Sequence, residues 1–562
     1  MAPMKWWGWG DEGVFFTHED KPALREFIKR AIGIDVATAG APPVSFGDLQ
    51  INEPSLPEAL LEALQAAVGP EHVSTDALDR VVRARGKSLR DLVRHRSGDV
   101  GRVPDVVVRP GDEDAVAAVM HAVLEHDAVL IPFGGGTNIS GSLEAPEDEP
   151  RPIVSVDLGR MDRVLEIDHE SRLARVQPGV FGPHLEAQLG ARGWTAGHFP
   201  DSFTHSTVGG WIASRSSGMQ SDKYGDISEL TRGLRVVTPS GILATRPVPS
   251  TSTGPSVREM ILGSEGRLGV ITEATIHVHR APERRTILGY LFPDWPRSLE
   301  AMRDIAASEA APSVTRVSDA RETQFSFATR KDPTRLDRLQ SKALKTYLQR
   351  RRGFDLDAMC LAFVGFEGSE ANVKAQRKLV GEVVSRYGGL CIGSGPGALY
   401  DQKKFDTPYI RDYLLDRGAL ADVSETSAPW STLPGLYENV TVSAQEAFGR
   451  LGVAGWIMCH LSHSYHSGAC LYFTFAFRPS GSREPLEEYD VVKPAIQQTF
   501  VDSGATLSHH HAVGTEHARW LEEDISAPGV AMLRALFEGT DPGANLNPGK
   551  IVPAEREPAA ST

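Results

Sequence analysis

The sequence is poor in cysteine and has no long apolar run. Its four cysteines follow no spacing typical of a metal site or a disulfide framework, which favours a reducing compartment. Without a run of about 20 apolar residues, no membrane-spanning helix is expected. The opening MKWWGWGDEG lacks the apolar stretch of a secretory signal, and the final AAST is no peroxisomal address. These absences favour a cytoplasmic protein, and we expect its cysteines to be core thiols: Cys360, Cys391, Cys459 and Cys470.

Positive charge is also scarce. The 562 residues contain 59 Lys+Arg against 73 Asp+Glu, so the formal net charge is −14. This balance disfavours a general binder of nucleic acid or anionic membranes, and an anionic substrate would need a local basic pocket. The length exceeds what one hydrophobic core usually serves, so two or more domains are expected.

The pattern of helix-like and strand-like segments along the chain predicts an α+β protein in four parts. Residues 1–99 are predicted to be a helical N-terminal region, and residues 100–280 combine strands and helices around a glycine loop. Residues 281–495 alternate strands and helices in a pattern typical of an antiparallel sheet with helices on one face, a ferredoxin-like cap. Residues 496–562 form a C-terminal segment.

The glycine loop, FGGGTNISG, follows a predicted buried strand. It is not a Rossmann fingerprint, because Ile139 stands where the third glycine is needed, and it lacks the Gly-Lys-Ser of a P-loop. What remains is a strand end and three glycines, whose amides can form a concave anion site. A purely structural tight turn explains the same residues equally well.

Three consecutive histidines lie in the segment GATLSHHHAVG. If this segment is extended, His509 and His511 share one face and His510 points away. Two imidazoles on a strand can begin a metal site, but a third ligand must come from elsewhere, and no CxxC or HExxH motif supplies it. We therefore predict no metal, and a solvated histidine run is the structural alternative.

Three glycine-bearing segments occur in an order that resembles the FAD-binding domain of the vanillyl-alcohol oxidase family. They are AVLIPFGGGTNISG, GHFPDSFTHSTVGGWIASRSSGM and GSEGRLGVITEATIHVH. The resemblance covers about residues 100–280 and implies a two-subdomain FAD-binding domain. The cofactor contacts that it implies are Pro132, Phe133, Gly134, Gly135, Gly136, Thr137, Asn138, Pro200, Asp201, Ser202, Ser206, Thr207, Gly209, Gly210, Ala213, Ser214, Arg215, Ser216, Gly263, Ser264, Glu265, Gly266, Gly269, Val270 and Ile271.

The resemblance narrows when the rest of the chain is included. The motifs MKWWGWGDEG, PFGGGTNISG, PYIRDYLLDRG, SETSAPW, SYHSGACLYFTFAF and SHHHAVG follow the order found in the alkyldihydroxyacetonephosphate synthase family. That family implies an enzyme that exchanges the acyl chain of acyl-dihydroxyacetone phosphate for a fatty alcohol in ether lipid synthesis. It also implies noncovalent FAD that acts without net redox, in agreement with the lack of His and Cys in residues 132–141.

The same resemblance implies roles for individual polar side chains. Tyr465 matches the family's catalytic tyrosine, and the histidine run matches an essential one, which favours acid-base and phosphate-contacting roles over a metal site. Arg411 matches a substrate-contacting arginine and Arg316 an arginine needed for activity, since guanidinium groups grip phosphate through paired hydrogen bonds. The structural alternatives are an ordinary hairpin tyrosine and surface ion pairs.

The sequence leaves alternatives open for both the binding partners and the reaction. Residues 332–352 place leucines on one helical face among many Lys and Arg, as in an interfacial helix, although a solvated cap helix shows the same pattern. We expect lipid-derived substrates, peripheral membrane contact, a homodimer and no nucleic acid. The main alternative function is FAD-dependent oxidation of a small 2-hydroxy acid, and a third is a catalytically silent flavin-binding protein.

Overall fold

The computed structural model of the protein describes residues 4–38, 40–331 and 335–552. The N-terminal elements are α1 (Pro22–Ile32), α2 (Glu58–Val68), β1 (Val73–Ser74), α3 (Ala77–Val82) and α4 (Leu89–Ser97). They contact both the first sheet and the later domain. Helix α1 packs Leu24 and Phe27 against Tyr413 and Leu414 of the later domain, whereas β1 pairs with a strand of the first sheet.

The first sheet ends in the glycine loop. Its further elements are β2 (Val106–Val108), α5 (Glu113–Glu125), β3 (Val129–Phe133) and β4 (Ile153–Asp157). The strand order is β1-β2-β4-β3, in which β1 is antiparallel and the other three are parallel. Helix α5 covers the sheet with Val116, Val119, Met120 and Val123, spaced on one face as an amphipathic helix requires. Strand β3 therefore lies in a buried sheet and delivers the glycines at its carboxyl end.

The second sheet completes the first domain. Its elements are β5 (Val164–Asp168), β6 (Leu173–Val176), α6 (Gly182–Gly190), β7 (Trp194–Thr195), α7 (Val208–Ser214), α8 (Ser221–Tyr224), α9 (Ile227–Leu230), β8 (Thr231–Thr238), β9 (Gly241–Ala244), α10 (Val257–Ile261), β10 (Val270–His277) and β11 (His279–Arg280). Five strands form an antiparallel sheet in the order β5-β6-β10-β8-β9, and β11 pairs with β7. The side chain of Thr207 caps the N-terminus of α7, the short helix inside the second glycine segment.

The cap domain is built on one long antiparallel sheet. Its elements are β12 (Arg284–Phe292), α11 (Trp295–Ala306), β13 (Val314–Ser318), α12 (Ala320–Ala328), α13 (Arg335–Arg352), β14 (Cys360–Gly368), α14 (Glu370–Arg386), β15 (Leu390–Gly393), α15 (Gly395–Lys403), α16 (Thr407–Leu415), β16 (Leu420–Pro429), α17 (Leu433–Leu451), β17 (Gly455–Ser464), β18 (Gly468–Phe477) and α18 (Pro485–Asp502). The order is β15-β12-β14-β13-β17-β18-β16. Four strands, β15-β12-β14-β13, have the ferredoxin-like arrangement. The other three, β17-β18-β16, extend the sheet beyond β13. The predicted α+β class with an antiparallel cap is confirmed.

The C-terminal segment leaves the cap and returns to the first domain. Its helix α19 (Leu521–Thr540) contains a non-helical residue, Ser526, at which two helices meet. Beyond it, Leu546 forms a parallel bridge with Leu130 of β3. The side chain of Asn547 donates to the carbonyl oxygens of Ser142 and Glu265, at 2.9 and 2.6 Å. The boundary predicted between residues 495 and 496 falls inside α18.

A segment before α1 bridges the two domains. The Trp9 amide donates to Oδ2 of Asp412 in α16 at 2.6 Å, and Nζ of Lys87 donates to the Lys5 carbonyl at 2.8 Å. Gly10 has a φ of +72°, and a Cβ there would overlap the Tyr409 hydroxyl. This segment therefore holds the helix that carries Arg411 against the rest of the protein. Among the described residues, no helix is long and apolar enough to cross a membrane.

Candidate active site

A cavity of about 830 Å³ lies between the first domain and the cap. Ligand sites are usually of this size, and they are mostly apolar with a few polar groups that converge. One wall comes from the glycine loop and from the segments around residues 200–217 and 264–271. The opposite wall comes from α12, α15, α16 and the strands β16 to β18. The three glycine segments, far apart in sequence, therefore meet at one cavity.

The backbone of the glycine loop can lie close to an anion because its three glycines have no side chain. A Cβ at Gly135 would overlap the His205 carbonyl oxygen, and one at Gly134 would overlap Oγ1 of Thr207. Gly136 has a φ of +67°, which favours glycine. Within the described chain, the amides of residues 134–137 donate no hydrogen bond, although buried amides are normally paired. Four unpaired donors at the end of a strand form an anion site rather than a purely structural turn.

A buried ionic cluster lies in the wall of the cavity that the cap domain forms. Arg316 on β13 donates to Oε1 of Glu322 at 2.6 Å, and Nδ1 of His460 lies 2.8 Å from the other carboxylate oxygen. Burial alone would raise the pKa of Glu322, but the charges of His460 and Arg316 lower it to about 2. Arg316 is thus in the cavity, as predicted, but its charge already has a buried partner.

Arg411 differs from Arg316 because it has no partner. It lies on α16, lines the cavity and is half-buried, and its Nε is buried without a hydrogen bond. Within residues 4–38, 40–331 and 335–552, no carboxylate forms an ion pair with Arg411, although Asp412 follows it directly. Asp422 on β16 interacts with the charge of Arg411 without forming an ion pair, so the donors of this half-buried guanidinium are available to an anionic ligand.

The three histidines lie in a tight loop and not in an extended strand. The amides of His509, His510 and His511 all donate to the carboxylate of Glu425, at 2.7, 3.1 and 3.0 Å. The Ser508 hydroxyl adds a fourth bond at 2.7 Å. Glu425 lies on β16 and its side chain is 0% exposed. A loop that wraps around one carboxylate brings all three rings together, whereas a strand would separate them.

Burial favours the neutral form of all three histidine rings. Burial lowers the pKa of each ring, and that of His509 falls to about 4 with a further contribution from His463. His510 and His511 line the cavity, whereas His509 stands behind them. A neutral imidazole can accept a proton, so the two front rings can serve as bases.

Two tyrosines of the β17–β18 hairpin have different positions. Tyr465 lies in the turn, where its amide donates to the Gly468 carbonyl, and it is not among the residues that line the cavity. Tyr472 lines the cavity and stacks on His460 with ring centroids 4.8 Å apart. Its hydroxyl makes no hydrogen bond within the described chain. The motif SYHSGACLYFTFAF contains both residues, and the catalytic role that the resemblance implies for Tyr465 stays a prediction.

Comparisons with known proteins agree with this geometry. A family model described as "FAD binding domain" matches residues 104–245, and "FAD linked oxidases, C-terminal domain" matches residues 281–551. An alkyldihydroxyacetonephosphate synthase of Dictyostelium discoideum is 36% identical over 99% of this chain and 94% of its own. One of Trypanosoma brucei brucei is 34% identical over 98% and 92%. A solved alkyldihydroxyacetonephosphate synthase structure matches with a TM-score of 0.84 and 35% identity, covering 97% of this chain and 98% of that one.

The chain belongs to the alkyldihydroxyacetonephosphate synthase family. This confirms the resemblance seen in the sequence, and it confirms FAD as the cofactor. The residues present fit that group, because the unpaired amides of residues 134–137 suit its pyrophosphate. The hydroxyls of Ser202 and Ser206 and the side chain of Thr207 line the same wall.

Most of the residues predicted to contact FAD line this cavity. All of them line the cavity except Arg215, Gly263 and Val270. Arg215 points to the surface and pairs with Glu259 at 3.2 Å, and Gly263 packs on the Arg215 side chain. Val270 is buried in the core under β3.

Glu265 lines the cavity, but its carboxylate is used within the synthase itself. It accepts hydrogen bonds from the amides of Val513 and Gly514 at 2.9 Å each and from the Ser142 hydroxyl at 2.5 Å. It therefore anchors the histidine-bearing segment to the FAD-binding domain. The sequence alone could not show that this side chain joins two segments 248 residues apart.

One cluster near the histidines has potential metal ligands. Glu425, Cys470, His509 and His510 each offer an atom within 4.8 Å of the others. However, both Glu425 oxygens already accept amide bonds, and Nδ1 of His509 lies 2.9 Å from Nδ1 of His510. Burial and the charge of Glu425 raise the pKa of the Cys470 thiol well above its usual value. These contacts describe a hydrogen-bonded cluster, and the absence of a metal stays a prediction.

Purified protein should be yellow and should release its FAD on denaturation. The reason is that residues 132–141 contain no His or Cys to form a covalent link beside the glycine loop. Acid precipitation followed by absorbance of the supernatant and the pellet measures this directly. Flavin that stays with the precipitated peptide would contradict the noncovalent site.

Proposed function

We propose that this protein exchanges the acyl chain of acyl-dihydroxyacetone phosphate for a long-chain alcohol, as the names of its relatives suggest. The observation that supports it most is the unpaired Arg411 in a cavity that also has a long apolar branch. A phosphate monoester with a fatty chain needs both features. A small 2-hydroxy acid would need the arginine but not the branch.

The apolar branch lies between α1 and the cap. Aromatic and aliphatic side chains make up much of the lining here, beside charged residues such as Asp20, Lys21 and Arg330. The apolar ones include Phe15, Phe27, Ile28, Phe325, Leu399 and Trp456. Each buried CH₂ of a chain contributes about 0.8 kcal/mol, so a fatty chain gains substantially from this branch.

The side chains around the polar centre suit the proton transfers of this exchange. The bond between the substrate carbon and the acyl oxygen breaks, a carboxylate leaves, and a bond to the alcohol oxygen forms. The Tyr472 hydroxyl can hold or return the proton at the substrate carbon, and neutral His510 or His511 can take the alcohol proton. Arg411 holds the phosphate. Bound FAD supplies an electrophile that takes up and returns an electron pair, so no external acceptor is needed.

The decisive experiment is an anaerobic incubation. The holoenzyme is given acyl-dihydroxyacetone phosphate and a labelled long-chain alcohol, and ether product and flavin absorbance are followed together. The proposal requires labelled ether without an electron acceptor and no lasting bleaching of the flavin. The oxidoreductase alternative requires bleaching by a 2-hydroxy acid and no ether. A protein that does neither would be the silent flavin binder.

Arg411→Lys should weaken productive binding more than its retained charge suggests. A lysine ammonium cannot reproduce the two parallel hydrogen bonds of guanidinium to phosphate. The loss should be about 1.5–3 kcal/mol, the range for hydrogen bonds to charged groups, which is roughly 10- to 150-fold in kcat/KM. Steady-state kinetics across phosphate-substrate concentrations measure it.

The matched control is Arg175→Lys. Arg175 is half exposed and pairs with Glu166 and Glu273 far from the cavity. Surface pairs of this kind contribute little, so its kinetics should be unchanged. If both variants behaved alike, Arg411 would be a structural residue.

We further propose that the protein is cytoplasmic, touches membranes peripherally and forms a homodimer. Helix α13 supports the membrane contact, since Leu344 and Tyr347 are exposed while Leu348 is buried. Residues 332–334 of the predicted segment lie outside the described residues, so the contact is argued from the helix alone. Flotation with anionic vesicles and light scattering in solution test the two proposals separately.

A further inference from the structure

The N-terminal segment brings one indole into the wall of the cavity. Of the three tryptophans in MKWWGWGDEG, Trp9 lines the cavity, whereas Trp6 packs against Phe46 and Trp7 stacks on Phe15. The Trp9 side chain is buried, and its Nε1 has no hydrogen-bond partner within the described chain. Buried indole N–H groups usually find an acceptor, so this donor is available to a bound ligand.

Trp9 is held beside the residue that carries the free guanidinium. Its amide donates to Oδ2 of Asp412, which follows Arg411 on α16, at 2.6 Å. A Cβ at Gly8 would overlap the same carboxylate oxygen, so the segment can pass this close to α16 only with glycine there. The Trp9 ring meets the His205 ring edge to face, with centroids 5.9 Å apart. Trp9 therefore contacts both the cap helix and the second glycine segment, at the boundary between the two walls.

A phosphate monoester bound to Arg411 would have one oxygen left for another donor. A guanidinium donates two parallel hydrogen bonds, whereas a phosphate group presents three terminal oxygens. A carboxylate presents only two oxygens, and both would face the guanidinium. Since an indole N–H can only donate, it suits the remaining oxygen of a phosphate and adds nothing for a carboxylate.

We propose that Nε1 of Trp9 donates to the phosphate group that Arg411 binds and thereby makes the site select a phosphate monoester over a carboxylate, an inference that rests on the proposed function. Trp9 takes no part in the bond changes and determines specificity only. The motif MKWWGWGDEG then has a role in the site, because its glycines allow the close approach that places the indole beside α16.

Two other tryptophans serve as internal comparisons. Nε1 of Trp456 also has no partner in the described chain, but this ring packs against Phe27 in the apolar branch, with centroids 5.0 Å apart. Nε1 of Trp295 is unpaired as well, and its ring packs against Tyr437 in the core of the cap, outside the cavity lining. Neither indole should respond to a small phosphate ligand.

The first experiment requires no turnover. Wild-type holoenzyme with isotope-labelled indole nitrogens is titrated with dihydroxyacetone phosphate, and the Trp9 N–H resonance is identified by its loss in Trp9→Phe, or in Trp9→Tyr if that variant does not fold. The probe should shift this resonance and leave those of Trp295 and Trp456 in place, whereas lactate, a small carboxylate, should leave all three in place. A Trp9 resonance that responds to removal of FAD but not to the phosphate probe would assign its acceptor to the flavin and overturn the proposal.

The second experiment measures the steady-state kinetics of Trp9→Phe. The KM for acyl-dihydroxyacetone phosphate should rise roughly tenfold, the effect of one lost hydrogen bond to a charged group. The kcat and the KM for the alcohol should change little, and Trp295→Phe should match the wild type. Flavin absorbance and unfolding temperature show that each variant is folded.

The kinetic outcomes separate this contact from a structural role and from the proposed function. An unchanged KM for the phosphate substrate, or an equal rise in the KM for the alcohol, overturns the role of Trp9. If the wild type itself forms no ether, the proposed function fails, and the titration with dihydroxyacetone phosphate still decides whether Trp9 contacts a phosphate.

Discussion

Tyr472→Phe is expected to lower ether formation by ~10²–10⁴-fold, the usual loss when a general acid-base group is removed. The ring and its stacking on His460 remain, so the change removes only a hydroxyl that has no protein partner in the described chain. FAD absorbance and unfolding temperature should be those of the wild type. Single-turnover product formation measures the effect without interference from product release.

The control for Tyr472 is another tyrosine whose hydroxyl is used only by the protein. Tyr387→Phe removes a bond to Asp304 on the surface of the cap, and its rate should be normal. Near-normal product from Tyr472→Phe would remove this residue from the reaction.

Glu425→Gln is expected to destabilise the protein by about 1–3 kcal/mol for each buried donor that it leaves unsatisfied. Its carboxylate accepts three successive amides and the Ser508 hydroxyl. An amide group has one oxygen, and its NH₂ would face donors. We expect a lower unfolding temperature and loss of turnover, since His510 and His511 would lose their positions.

The matched control is Glu438→Gln. Glu438 is exposed on α17, so loss of its charge should change the unfolding temperature little. Equal unfolding temperatures for the two variants would show that the histidine loop does not depend on Glu425.

The parts of the site that rest on local sequence could be predicted. The three glycines after a buried strand predict bare backbone donors, and the structure shows unpaired amides at residues 134–137. The strand and helix alternation predicts the ferredoxin-like order of β12 to β15, because those contacts follow from periodicity and short connections. The sequence order of the motifs predicts the family.

What depends on long-range contacts could not be predicted. The histidine loop is shaped by Glu425, which lies 84 residues away from His509 on β16, so no local rule could exclude an extended strand. Tyr465 and Tyr472 belong to one motif, and only the position of the hairpin turn decides which of them faces the cavity. Arg316 and Arg411 look alike in sequence, and among the described residues only Arg316 forms an ion pair with a carboxylate.

The bridge between Leu546 and Leu130 has a consequence for biosynthesis. The amide of Leu130 bonds to the Asn545 carbonyl, and the amide of Asn547 bonds to the Leu130 carbonyl. The strand that delivers the glycines to FAD is therefore completed by residues that leave the ribosome about 415 positions later. Domains fold in the order in which they are made, but this one waits for nearly the whole chain. Cofactor loading is then a post-translational event, and ribosome-bound chains halted before residue 545 should fail to retain flavin.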